Sequence, residues 1–199
     1  MDTVEHIKEK KPRKRRQKPT LITIPEIIPT PRDVLVTTEV FHLGEDVYIK
    51  ELACYFPQTN AASTWSFKQP YSIDCLQEEY LKLINLQTLH AHQLAWKSGE
   101  LHYTGMYAIL HRLTSTNAVY YYVQEDIPNP LQGHAHVDLV KMGCPHPNFL
   151  QYEGDVLCPN HQGLPGGCAL QKALKLGQWY KTLCDYAPAV AVPETNIQK

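Results

Sequence analysis

The chain has 199 residues, 43% of them hydrophobic and 20% charged, with a formal net charge of −1. That is enough apolar material for one globular domain with its own core, while no apolar run is long enough to span a membrane. The near-neutral total conceals an asymmetry, because residues 1–20 hold eight Lys/Arg against three acids, a net of +5 that leaves −6 for the rest.

Taken in chain order, Lys10, Lys11, Arg13, Lys14, Arg15 and Arg16 form a dense basic run of the kind that serves as a nuclear localisation signal. The expectation is a nuclear protein recognised by an import receptor, with the cytoplasm as the alternative. The same charges can neutralise nucleic-acid phosphates. No secretory h-region is legible at the N-terminus, so the six cysteines are expected to be reduced thiols of an intracellular protein. Pro19, Pro25, Pro29 and Pro31 then interrupt an isoleucine-rich stretch and exclude a sustained helix. Ile22, Ile24, Ile27 and Ile28 are free to dock on the domain. Residues 1–32 therefore read as a disordered basic tail and linker, 33–187 as the domain, and 188–199 as a disordered C-terminal tail.

Within the domain, Val47 to Phe56 alternates as a strand, with Val47, Ile49, Glu51, Ala53 and Tyr55 on one face. A turn at Pro57 to Asn60 returns it to a second strand at Ser63 to Phe67, a hairpin expected to open the sheet. Glu51 shares a face with apolar residues and needs a partner or water if buried. Asp74 with Gln77 resembles a capping box for one or two helices reaching to about Trp96, and Thr104 is placed to cap a second over Met106 to Leu113. Ala118 to Val123 reads as a buried strand, Val137 to Met142 as a short one, and Ala169 to about Cys184 as a helix with Leu170, Leu174 and Tyr180 inward. Cys54, Cys75 and Cys184 read as small core residues, and His90, His92, His102 and His111 as helix-surface residues.

The chemistry concentrates at Cys158, His161 and Cys168, spaced Cys-x2-His-x6-Cys with Pro159, Gly166 and Gly167 shaping the backbone between them. Two thiolates and an imidazole at this spacing can converge on one tetrahedral ion, which predicts a zinc knuckle. A structural site needs a fourth ligand from elsewhere in the chain. Cys144 would complete a Cys3His set, and Asp138, His134 and His136 are further candidates.

The element order, a strand hairpin followed by helices alternating with single strands and a final helix, argues a mixed α/β sheet flanked by helices. Together with Glu51, Cys158, His161 and Cys168 it resembles the Maelstrom domain, a zinc-bearing relative of the DEDD-type 3′–5′ exonucleases with the RNase H-like fold. The resemblance implies an RNase H-like sheet over roughly residues 45–185, with Glu51 as the fourth ligand of a structural Zn2+. It also implies that the nuclease has lost its acids, since active members hold two metal ions about 4 Å apart on a carboxylate cluster. Ile49 stands where the first acid of the Asp-x-Glu strand would be, and Lys172 where the last Asp would be. The function so implied is a nuclear pseudo-exonuclease domain that binds single-stranded RNA or protein partners, in transposon or viral RNA silencing. The alternatives are a metal-independent single-strand RNA endonuclease and a protein-interaction module of viral or mobile-element origin.

Overall fold

The computed structural model describes residues 32–122, 131–152, 154, 158–161 and 168–186. The sheet opens one strand earlier than the alternation suggests, on β1 (Arg32–Leu43). Val34, Leu35 and Val36 are consecutive and at most 1% exposed. A strand covered on both faces loses the period-two pattern by which strands are recognised. Gly44, at φ +66°, turns β1 into β2 (Asp46–Phe56), and Asn60, at φ +56°, closes the turn into β3 (Ala61–Lys68). Then come α1 (Glu78–Gln87), β4 (Leu101–His102), α2 (Tyr103–Thr116), β5 (Asn117–Tyr121), β6 (Val137–Asp138) and α3 (Ala169–Tyr186).

The spatial order is β4-β3-β2-β1-β5-β6. The first three strands pair antiparallel, whereas β5 runs parallel to β1, and β6 parallel to β5. One face carries Val34, Val36, Leu52 and Cys54 against Met106, Leu110 and Leu113 of α2. The other carries Leu35, Ala53 and Tyr55 against Ala173, Leu176 and Tyr180 of α3. The architecture is a mixed α/β sheet flanked by helices, as expected.

The face assignment of β2 is different from simple alternation. Glu39 pairs with Glu51 but the next residue of β1, Val40, pairs with Ile49, so Lys50 is an extra residue bulged out of the ladder. The bulge sends Ile49 to the α2 face and leaves Glu51 with Ala53 and Tyr55 on the α3 face. Lys50 is itself fully buried, and its ammonium donates to the carbonyls of Phe67 at 2.9 Å, Trp96 at 3.3 Å and Ser98. With no counter-charge at hand, burial lowers its pKa to about 8.

Several local expectations give way to turn chemistry. Ser72, not Asp74, caps a short 3-10 turn at Ile73–Cys75, and α1 starts at Glu78 with no side-chain cap. It runs into one π turn, Thr88–His92, and stops at Gln93, whose φ is +57°. His92, the last residue of that π turn, packs edge-on against Phe41, 4.5 Å between ring centroids, so it is 1% exposed rather than on a helix surface. α2 begins at Tyr103, which leaves Thr104 inside its first turn. The strand at Val137 lasts two residues because Cys144 and Met142 both fold back onto the Leu139 carbonyl. Cys54 is buried, whereas Cys75 and Cys184 are exposed, and all six cysteines are free. Val123, residues 1–31 of the proposed basic tail and linker, and the proposed C-terminal tail lie outside the described residues, whereas Arg32, expected in that linker, opens β1.

α3 approaches β2 closely enough that a Cβ on Gly177 would lie 2.2 Å from the Tyr55 ring. Gly177→Ala is expected to destabilise the fold by about 1–3 kcal/mol despite its better helix propensity, read as a lower urea midpoint at unchanged m-value.

Candidate metal centre

The geometry starts from a turn. Cys158 accepts the backbone N–H of His161 at 3.2 Å, with Pro159 at the corner, which brings the Cys158 thiol to 3.3 Å from His161 Nδ1. Cys168 immediately precedes α3, and its sulfur accepts the N–H of Gln171 at 3.5 Å in the manner of an N-cap. Glu51 reaches the same point from the middle of the sheet. The ligand atoms of Glu51, Cys158, His161 and Cys168 all lie within 4.8 Å of one another.

Each donor is oriented by a further contact. Nε2 of His161 lies 2.8 Å from the His92 carbonyl, which requires the proton on Nε2 and turns the Nδ1 lone pair towards the cluster. Glu51 Oε2 accepts the N–H of Ala169 at 2.9 Å, at the positive end of α3. Its Oε1 accepts from Asn160 at 2.9 Å and Thr64 at 3.3 Å, and lies 3.7 Å from His161 Nδ1. Glu51 is 0% exposed.

These residues fit a bound cation. Metal–ligand bonds of about 2.0–2.3 Å place tetrahedral donors roughly 3.3–3.8 Å apart, and the observed Sγ–Nδ1 and Nδ1–Oε1 separations are 3.3 and 3.7 Å. Burial pushes the Cys158 and Cys168 thiols above their usual pKa, and the Glu51 carboxylate raises them further. Two thiolates beside a buried carboxylate are tolerable only around a positive charge, which metal binding supplies as the thiol protons leave.

Of the other candidate ligands, Cys144 sits in the α3-side core, where burial raises its thiol pKa to about 12, and lies outside the cluster. Asp138 accepts the N–H of Val140, and the His136 ring lies 2.9 Å from the His134 carbonyl. None of the three joins the four donors. The supporting residues Asn160, Thr64 and His92 carry no sequence signal, since each acts through a single amide, hydroxyl or carbonyl. Only the position of Asn160 inside the knuckle could have drawn attention to it.

Next to the centre, a cleft of about 360 Å³ is lined by Glu39, Lys172, His42, Gln87, Tyr122 and His146, among others. Lys172 Nζ lies 2.7 Å from Glu39 Oε1. β1, which precedes the Ile49-Lys50-Glu51 of β2, sets Glu39 at this cleft two residues after Thr37. The Thr37 hydroxyl donates to the Ala169 carbonyl at 2.6 Å. Burial dominates Glu39 and raises its pKa to about 7, against the lowering effect of Lys172, with Glu51 adding a smaller upward push.

No known protein family, curated protein or solved structure matches the chain.

A carboxyl that holds its proton more tightly in the folded state costs stability once the unfolded chain ionises. Below about pH 4.5 Glu39 is protonated in both states; from there to about pH 7 the fold loses stability with rising pH, and beyond that the loss is constant. Comparing wild type with Glu39→Gln by urea unfolding from pH 4.5 to 8 should show a relative loss of the order of 3 kcal/mol in wild type. Parallel pH profiles would show that Glu39 titrates normally.

Proposed function

We propose that this chain is a zinc-stabilised, RNase H-like pseudo-exonuclease domain of the Maelstrom kind, which binds single-stranded RNA without cutting it and is directed to the nucleus by its basic tail. The observation that carries this reading is the convergence of Glu51, Cys158, His161 and Cys168 within 4.8 Å. A buried set of two sulfurs, one nitrogen and one carboxylate oxygen, with no position left open, suits Zn2+ in a structural role. The ion would tie β2 to the loop before α3, residues more than a hundred positions apart in the chain, and so stabilise the domain by metal linkage.

The sheet supports the fold-level part of the proposal, with three antiparallel strands followed by two that run parallel to the first and helices on both faces. The cleft supports the loss of nuclease chemistry. Among its described lining residues Glu39 is the one acid, and it is paired with Lys172. One neutralised carboxylate cannot hold two metal ions in the arrangement that phosphodiester cleavage requires. RNA affinity would come from the basic residues 10–16, and the silencing of transposon or viral RNA is the biological setting that the Maelstrom resemblance implies. A protein-interaction role has one observation in its favour, the exposed apolar side chains of Phe149, Val137 and Val140 around β6.

The purified chain is expected to contain one zinc per molecule by elemental analysis, lost in Cys158→Ser and Glu51→Gln and kept in Cys144→Ser. Chelation should lower Tm by about 10 °C, the equivalent of ~4 kcal/mol of linkage. A metal-free wild-type protein with an unchanged Tm would remove the proposal's foundation. Fluorescently labelled single-stranded RNA should bind with an affinity that falls about 300-fold between 50 and 200 mM salt if six phosphates are contacted, and remain intact with Mg2+ present. Shortened RNA products dependent on Mg2+ would restore the nuclease reading.

A further inference from the structure

A second cleft, of about 700 Å³, opens on the α2 side of the sheet. Its apolar wall is Phe56, Trp65, Ile109 and Leu113, and Arg32 and Arg112, both exposed, stand among its lining residues. Arg32 is also the first residue of β1. The chain that precedes it reads Leu21-Ile22-Thr23-Ile24-Pro25-Glu26-Ile27-Ile28-Pro29-Thr30-Pro31. We infer that this cleft is the docking site of the chain's own isoleucine segment, with Ile27 and Ile28 seated against Trp65 and Leu113.

Three observations favour this occupant over any other. Connectivity comes first: an extended or polyproline-like chain advances about 3.1–3.4 Å per residue, so Ile28 lies within roughly 14 Å of Arg32 and Ile27 only one step further. The cleft is lined by Arg32 itself, and the segment therefore meets it without any spanning linker, at an effective concentration no separate partner reaches. The second is chemistry. Five aliphatic residues in eight positions are matched to an apolar wall. The third is charge, because Glu26, the one ionisable residue between Leu21 and Pro31, is placed to meet Arg32 or Arg112 at the rim.

The test is 19F NMR on the full chain labelled with 5-fluorotryptophan, which contains three tryptophans, Trp65, Trp96 and Trp179. The Trp65 line is assigned by Trp65→Phe. In Ile27→Ser/Ile28→Ser, with folding checked by circular dichroism, the Trp65 line is expected to move while the Trp96 and Trp179 lines stay. A synthetic peptide of residues 19–31 added to that variant should restore the original position. Glu26→Arg should move the Trp65 line in the same direction by a smaller amount. A Trp65 line unchanged in the double variant overturns the proposal, as does one whose position depends on protein concentration, which would mean that a second copy fills the cleft.

Discussion

A carboxylate at the centre of a sheet, wholly removed from water, is the constraint on which the rest of this fold depends. Left alone, Glu51 would cost several kcal/mol. The surrounding residues answer it with an amide from Asn160, a hydroxyl from Thr64, the first N–H of α3, and three potential metal donors. These come from three separate parts of the chain. The knuckle turn, the start of α3 and the return strand of the hairpin must all be in place before the carboxylate is satisfied, which makes Glu51 a point of cooperativity rather than one more buried side chain.

The bulge at Lys50 is what allows this. Without the extra residue, strict alternation would keep Ile49 on the α3 face, and the ladder would not twist at the point where β1 and β2 present Glu39 and Glu51 side by side. Two acids directly opposite one another repel, and the fold separates their roles. Glu51 is turned to the metal donors, while Glu39 is turned to Lys172 at the adjoining cleft. α3 serves both, since Ala169 donates its N–H to Glu51 and accepts the Thr37 hydroxyl through its carbonyl. The candidate metal centre and the cleft therefore share one helix terminus, and a disturbance of either is felt through the same peptide unit.

The knuckle was legible because Cys-x2-His is a local pattern whose turn is set by Pro159 and whose chemistry is set by residue type. The residues themselves marked Glu51 only as a carboxylate on an apolar face in need of a partner, and its place beside the knuckle was suggested by the resemblance alone. Lys172 stood out by the same comparison, as a lysine in an acid's place, yet its partner Glu39 did not, because β1 had not been recognised. That strand is buried on both sides, so its sequence has no alternation to read, and two small polar residues, Thr37 and Thr38, break its hydrophobic run. His92 illustrates another limit. A position expected on a helix surface falls in the π turn that ends the helix and is buried, and no periodicity rule anticipates a π turn.

Lys50 holds its ammonium against three main-chain carbonyls, drawn from β3 and from the segment around Trp96. Among the described residues it is the one lysine sealed from water, while others such as Lys82 and Lys141 are largely solvated. Acylating reagents would therefore label the remaining lysines first, and a mass increment on Lys50 would report the moment at which the bulge, the sheet and the layer carrying the four candidate donors come apart.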